Sequence, residues 1–140
     1  MNIEKVKQQL NDVDYLGNTL GIVYHSTPDP HTCEATLKVT AAVGQPLGFL
    51  NGGTSLAMAE NLAGVGSASL CQQGQFPMGT NVTAHHLTAV PVGETVKAVA
   101  RILHQGRTLH VWNVDILNEK GEIASTARVT NYIISPEVEK

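Results

Sequence analysis

The period of the hydrophobic positions changes along the chain and marks out its elements. Ile3, Val6, Leu10 and Val13 recur at near-helical spacing ahead of Gly17, which predicts one short amphipathic helix over residues 3–18. From Thr19 to His25 and from Thr32 to Val39 the period shortens to two: Cys33, Ala35, Leu37 and Val39 alternate with Glu34, Thr36 and Lys38. Two strands are expected there, joined through Pro28-Asp29-Pro30. After Asn51-Gly52-Gly53 the residues are apolar all round (Leu56, Met58, Leu62, Val65, Leu70), the pattern of a helix enclosed by the rest of its fold. That helix is expected to start from an Asn51 cap, to run to about Cys71 and to have Gly74 just past its end. Four strands follow, over 79–90, 94–104, 108–117 and 122–134, with turns at Gln105-Gly106-Arg107 and Asn118-Glu119-Lys120-Gly121. The order predicts an α+β fold, one domain over 1–140 in which an antiparallel sheet surrounds a long central helix.

Charge placement sharpens this picture. Of the 140 residues 15% are charged, yet the 55 residues from Val39 to Gly93 hold a single charge, Glu60, where about eight are expected. Polar breaks at Gln45, Asn51 and Gln72–Gln75 exclude a membrane span, so the stretch reads as protein interior or subunit interface. A net charge of −3 without a Lys/Arg run gives no electrostatic basis for nucleic acid or an anionic membrane. Two distant cysteines, Cys33 and Cys71, and an N-terminus without an apolar core fit a reduced, cytoplasmic protein.

A carboxylate in neutral surroundings with no nearby Lys or Arg needs either complete hydrogen bonding or a chemical purpose. Helical spacing puts Glu60 on one stripe with Leu56, Ala63, Gly64 and Ser67, whose small members leave room beside it. Upstream, Asn51-Gly52-Gly53 presents backbone N–H groups at a helix N-terminus, where partial positive charge favours an oxyanion. A nucleophile or base together with an oxyanion hole are two parts of an acyl-transfer site.

The run from Gln45 to Glu60, QPLGFLNGGTSLAMAE, resembles the active-site segment of hotdog-fold acyl-CoA thioesterases, in the branch of the 4-hydroxybenzoyl-CoA and 1,4-dihydroxy-2-naphthoyl-CoA enzymes. The likeness continues through Thr83-Ala84-His85-His86-Leu87 and Val111-Trp112 to the last strand. It implies a curved antiparallel sheet wrapped around the helix, a homodimer or homotetramer, and active sites that straddle the subunit interface. It further implies Glu60 as nucleophile or general base, the Gly52 N–H on the carbonyl oxygen, and Gln45 placing water or the leaving thiolate. Asn51 stands where the family usually has His; it can cap and position but carries no proton at neutral pH. Gly64 stands where Ser or Thr is frequent, with Ser67 one turn further on.

The remaining candidates follow from position. His85 and His86 point to opposite faces of one strand, and the resemblance assigns His86 to the substrate channel. Gly53, Gly64 and Ser67 are expected beside substrate, and Gly106 with Arg107 at the nucleotide end of CoA; Arg101 and Arg128 are further candidates for its phosphates. Trp112 reads as core. No His or Cys spacing suits a metal, and none is expected, nor any cofactor beyond the CoA of the substrate itself. The leading expectation is acyl-CoA hydrolysis, possible for an aromatic acyl group; the alternatives are a hotdog hydratase or dehydratase and a non-catalytic acyl-CoA binder.

Overall fold

A computed structural model describes residues 1–136; the last four residues of the expected 1–140 domain lie outside the described residues. The N-terminal segment forms two short helices instead of one, α1 (Glu4–Leu10) and α2 (Leu16–Leu20). The break has a local cause. The Asn18 amide donates to the carbonyls of Leu10 and Val13, each at 2.7 Å, and so satisfies the open end of α1 without another helical turn. Gly17 lies inside α2 under the Tyr15 ring, and the stop falls on Gly21, whose φ of 84° suits glycine. Because α2 takes up Thr19 and Leu20, the strand expected over 19–25 shrinks to β1 (Val23–His25).

The other elements follow the sequence pattern closely: β2 (Thr32–Lys38), a short 3-10 turn (Ala41–Val43), α3 (Gly52–Leu70), β3 (Phe76–His86), β4 (Thr95–Gln105), β5 (Leu109–Leu117) and β6 (Ile123–Ile134). All six strands join one antiparallel sheet in the order β1-β2-β4-β5-β6-β3. Helix α3 lies across its inner face and touches β2 through β6. The alternating residues Cys33, Ala35, Leu37, Val96, Ala98, Ala100, Trp112, Val114 and Ile116 meet Met58, Leu62 and Ala63 of the helix, all buried. Apolar burial of this kind contributes about 25 cal/mol per Å² removed from water.

Helix and sheet are in close contact at Gly66. A Cβ there would lie 2.5 Å from Cη2 of Trp112 and 3.1 Å from Sγ of Cys33. A helical glycine costs about 1 kcal/mol relative to alanine, and this contact is what requires it.

The charge-free stretch is not uniformly interior. Leu47, Leu87, Met78 and Phe76 are 80%, 62%, 54% and 46% exposed, and Glu60, expected inside the protein or an interface, is exposed on the single chain. Strand β3 is an eleven-residue edge, with Pro77 tolerated because an edge position needs no donor to a neighbour. Its pairing with β6 slips between Gly79 and Asn81, a bulge that leaves Thr80 out of register.

Gly66→Ala is expected to lower unfolding free energy by about 1–3 kcal/mol through overpacking against Trp112, despite the better helix propensity of alanine. A urea titration measures it, and a midpoint equal to or above wild type contradicts the role given to this contact.

Candidate active site

The loop before α3 is a tight frame. Gly48, at φ 90°, donates to the Gln45 carbonyl at 3.1 Å, Gln45 N–H donates to the Phe49 carbonyl at 2.7 Å, and the Leu47 N–H donates to the Gln45 side-chain oxygen. The Gln45 amide is thereby turned and held. Asn51 caps the helix as its sequence position suggests: its Oδ1 accepts from the Gly53 N–H at 2.7 Å. Gly53 is therefore occupied by the cap, whereas the Gly52 N–H, at the first helical position, has no partner among the described residues.

His86, at the end of β3, lies over Gly52. A Cβ on Gly52 would stand 2.7 Å from Nε2 of His86, so only glycine fits beneath the ring. The ring is oriented by Ser125 on β6, whose Oγ is 2.8 Å from Nδ1. Gln45, Gly52 and His86 line one cavity of 330 Å³, together with Ser55, Thr88 and Ser125. Its floor is the positive end of α3, a place suited to an oxygen that gains negative charge. His85 is not among the lining residues.

Glu60 lines a different cavity. Its carboxylate rests against Gly79, where an added Cβ would come within 2.5 Å of Oε1, and it makes no salt bridge among the described residues. This second cavity, 460 Å³, holds Gly64 and lies between α3 and the N-terminal helices. The division is dictated by helix geometry. Eight residues separate Gly52 from Glu60, about 12 Å of rise and about 80° of rotation, too far for both to reach one carbonyl group from the same chain.

Ser67 corrects its expected place beside substrate. It faces the core, fully buried, and its Oγ receives the Trp112 Nε1–H at 2.8 Å and the Asn131 amide at 3.0 Å. The Asn131 orientation is fixed, since the same Nδ2 also donates to the Ala63 carbonyl. With both lone pairs of Ser67 taken, its hydroxyl donates to Nδ1 of His110, 2.9 Å away, which leaves the His110 proton on Nε2. Burial, and then the nearby His104, push the His110 pKa below its ordinary 6.5.

Gly106 and Arg107 line a further cavity of 370 Å³ with Cys71, Gln72, Gln75 and His110, at the far end of α3 from Gly52. Arg107 makes no salt bridge among the described residues, while Arg101 is tied to Asp29 at 3.0 Å and Arg128 is exposed on β6. Among the described residues no group of His, Cys, Asp and Glu is arranged to hold a metal, and no helix is long and apolar enough to cross a membrane. Ser125 and Gly79 escaped the sequence reading. Gly79 carried a signal, an isolated glycine in a strand pattern, whereas nothing local marks Ser125.

The comparisons with known proteins agree with this frame. A family model described as the thioesterase superfamily matches residues 47–125. The chain is 37% identical over 115 residues to a proofreading thioesterase, EntH, of Cronobacter sakazakii, covering 82% of each protein. It is 36% identical over 104 residues to the 1,4-dihydroxy-2-naphthoyl-CoA hydrolase of Escherichia coli, covering 74% of this chain and 75% of that one. A crystal structure of a thioesterase from Haemophilus influenzae superposes with a TM-score of 0.86 at 29% identity, over 96% of this chain and 92% of that one.

The His110 network generates a pH dependence. Between pH 6.5 and the lower folded-state pKa the unfolded chain binds a proton that the folded chain refuses, so this contribution to stability is full above 6.5 and declines as pH falls. In His110→Gln the loss of stability between pH 7.5 and 5.5, read from denaturant midpoints, is expected to be smaller than in wild type. An unchanged slope contradicts the assignment.

Proposed function

The chain belongs to the thioesterase superfamily, with the hotdog arrangement of one antiparallel sheet around one helix, and we propose that the thioester it hydrolyses is an acyl-CoA whose acyl group is aromatic. The carrying observation is the unpaired Gly52 N–H beneath His86 at the positive end of α3. There the carbonyl oxygen of the thioester is polarised, and the negative charge it gains on attack is stabilised. Gln45, held by its turn, directs its amide NH₂ to the attacking water or the departing sulfur, and Asn51 keeps the helix end in place. Glu60 attacks the carbonyl carbon or takes a proton from the water that does. The C–S bond breaks, sulfur leaves as thiolate and is protonated, and one water is consumed to give the free acid and CoA.

Because Gly52 and Glu60 of one chain cannot meet at one carbon, the reading requires two copies, with Glu60 of one completing the cavity of the other. The exposed edge β3, with Phe76 and Met78 on it, is the surface that suits a homodimer, since it offers unpaired backbone groups to a second β3. Dimers of this kind pair further into a homotetramer in the hotdog reading. Arg107, free of a carboxylate partner among the described residues, serves the CoA phosphates, with Gly106 allowing their approach. Naphthoyl and benzoyl thioesters of CoA are the first substrates to assay, the former being the class named for the Escherichia coli relative.

Wild type is expected to release thiol from such thioesters, and Glu60→Ala to lower kcat by roughly 10²–10⁴-fold. Gly52→Val, which drives a side chain into His86, is expected to be comparably impaired. Unfolding and refolding the two inactive variants together in equal amounts forms mixed dimers. A shared site restores about a quarter of wild-type activity, because half the dimers are mixed and each has one intact site. No recovery overturns the two-copy reading, and equal rates for wild type and Glu60→Ala overturn the role of Glu60.

A further inference from the structure

The cavity at the carbonyl end of α3 holds a hydrogen-bond donor that nothing in the chain uses. His110 is 4% exposed, and its Nε2–H, fixed in place by the Ser67 hydroxyl on Nδ1, has no partner among the described residues. No fully enclosed side-chain nitrogen or oxygen among those residues lacks a hydrogen bond, so Nε2 is open to the cavity that His110 lines. The donor cannot swing away. Ser67 is itself pinned by the Trp112 indole and the Asn131 amide, so the imidazole keeps one tautomer and one direction.

The surroundings select what can accept this hydrogen bond. Leu70 and Ile133 give the 370 Å³ cavity apolar walls, and the Leu70 carbonyl, at the negative end of α3, accepts from nothing among the described residues. Gln75 is already spent: its amide donates to Ser135 Oγ and its Oε1 accepts from the Gln72 N–H, both at 3.0 Å. The Gln72, Gln105 and Arg107 side chains are exposed, and burial pushes the Cys71 thiol pKa up, which leaves it a weak, neutral donor. A small anion deep in the cavity would face the wrong end of a helix and an imidazole that burial and then His104 keep uncharged. A flat heteroaromatic ring with an amino group beside a ring nitrogen answers both open groups. Its nitrogen accepts from His110, its amine donates to a carbonyl, and the apolar walls cover its faces.

We propose that this cavity binds the adenine ring of CoA, with the His110 Nε2–H on a ring nitrogen and the Leu70 carbonyl on the exocyclic amine. The proposal rests on the reading that the substrate is a CoA thioester whose phosphates meet Arg107, which lines the same cavity. Selectivity follows from the pairing. A base with a carbonyl in place of that amine sets two acceptors against each other, and a carrier with no base leaves the buried N–H without its partner.

The test compares three acyl-free probes by calorimetry: CoA, etheno-CoA, in which an ethene bridge caps the exocyclic amine and the ring nitrogen next to it, and phosphopantetheine, which has no base. Wild type is expected to bind CoA about tenfold more tightly than etheno-CoA. His110→Leu is expected to bring these two within about twofold by weakening CoA, with phosphopantetheine unchanged. His110→Gln, which keeps an acceptor for Ser67 and a donor for the base, is expected to recover most of the preference. In wild type the nitrogen resonance of His110 Nε2 is expected to move with CoA and to stay with phosphopantetheine, a measurement that needs no variant. Equal affinities for CoA and etheno-CoA in wild type, a preference that survives His110→Leu, parallel weakening of all three probes, or a silent His110 resonance overturns the proposal. Turnover of benzoyl-CoA by wild type and Glu60→Ala, measured alongside, tests the hydrolytic reading separately, so that hydrolysis without the preference removes the adenine site alone.

Discussion

The contact between α3 and the sheet at Gly66 and Ser67 governs the rest of the molecule. Gly66 lets the helix settle directly on the Trp112 ring, and one residue later Ser67 binds the indole, an imidazole and an amide from β5 and β6. The first contact sets how deep the helix lies. The second sets its rotation, since a buried hydroxyl with all its hydrogen-bonding capacity used cannot turn away without stranding polar partners. With depth and rotation fixed, the N-terminus of the helix can only come up under His86, and Glu60 can only lean on Gly79.

A rigid helix pinned in this way serves as a ruler. Its first turn offers a polarising N–H, its third a carboxylate, and its last a cavity with a cation, spaced along one axis that a single chain cannot fold back on itself. The exposure of Glu60 on the isolated chain belongs to the same geometry. A carboxylate that would be costly inside one subunit stands at its surface, in a groove that also borders the edge strand through Pro77.

Much of this was legible beforehand because the relevant signals are local. The Asn51 cap, the period-two runs of β2, β4 and β5, and the opposite facing of His85 and His86 all follow from chain geometry over a few residues. The errors have non-local causes. The break between α1 and α2 depends on an Asn18 side chain reaching back eight residues, and Ser67 shared a helical stripe with Glu60 while its partners came from strands 43 to 64 residues further on. Ser125, which orients His86 across 39 residues, has no signature in its own neighbourhood.

The slip between Gly79 and Asn81 decides which way half of β3 faces. In a regular strand, positions seven apart point to opposite sides, so Gly79 under Glu60 and His86 over Gly52 would lie on opposite surfaces of the sheet. The additional residue, Thr80, reverses the count: Gly79 sits opposite Asn131 and His86 opposite Ser125, both inward-facing positions of β6. An odd interval in the sequence thus acts as an even one, and were Thr80 drawn into the ladder as an ordinary rung, the pairing beyond it would shift by one residue and the imidazole would turn to the opposite surface of the sheet.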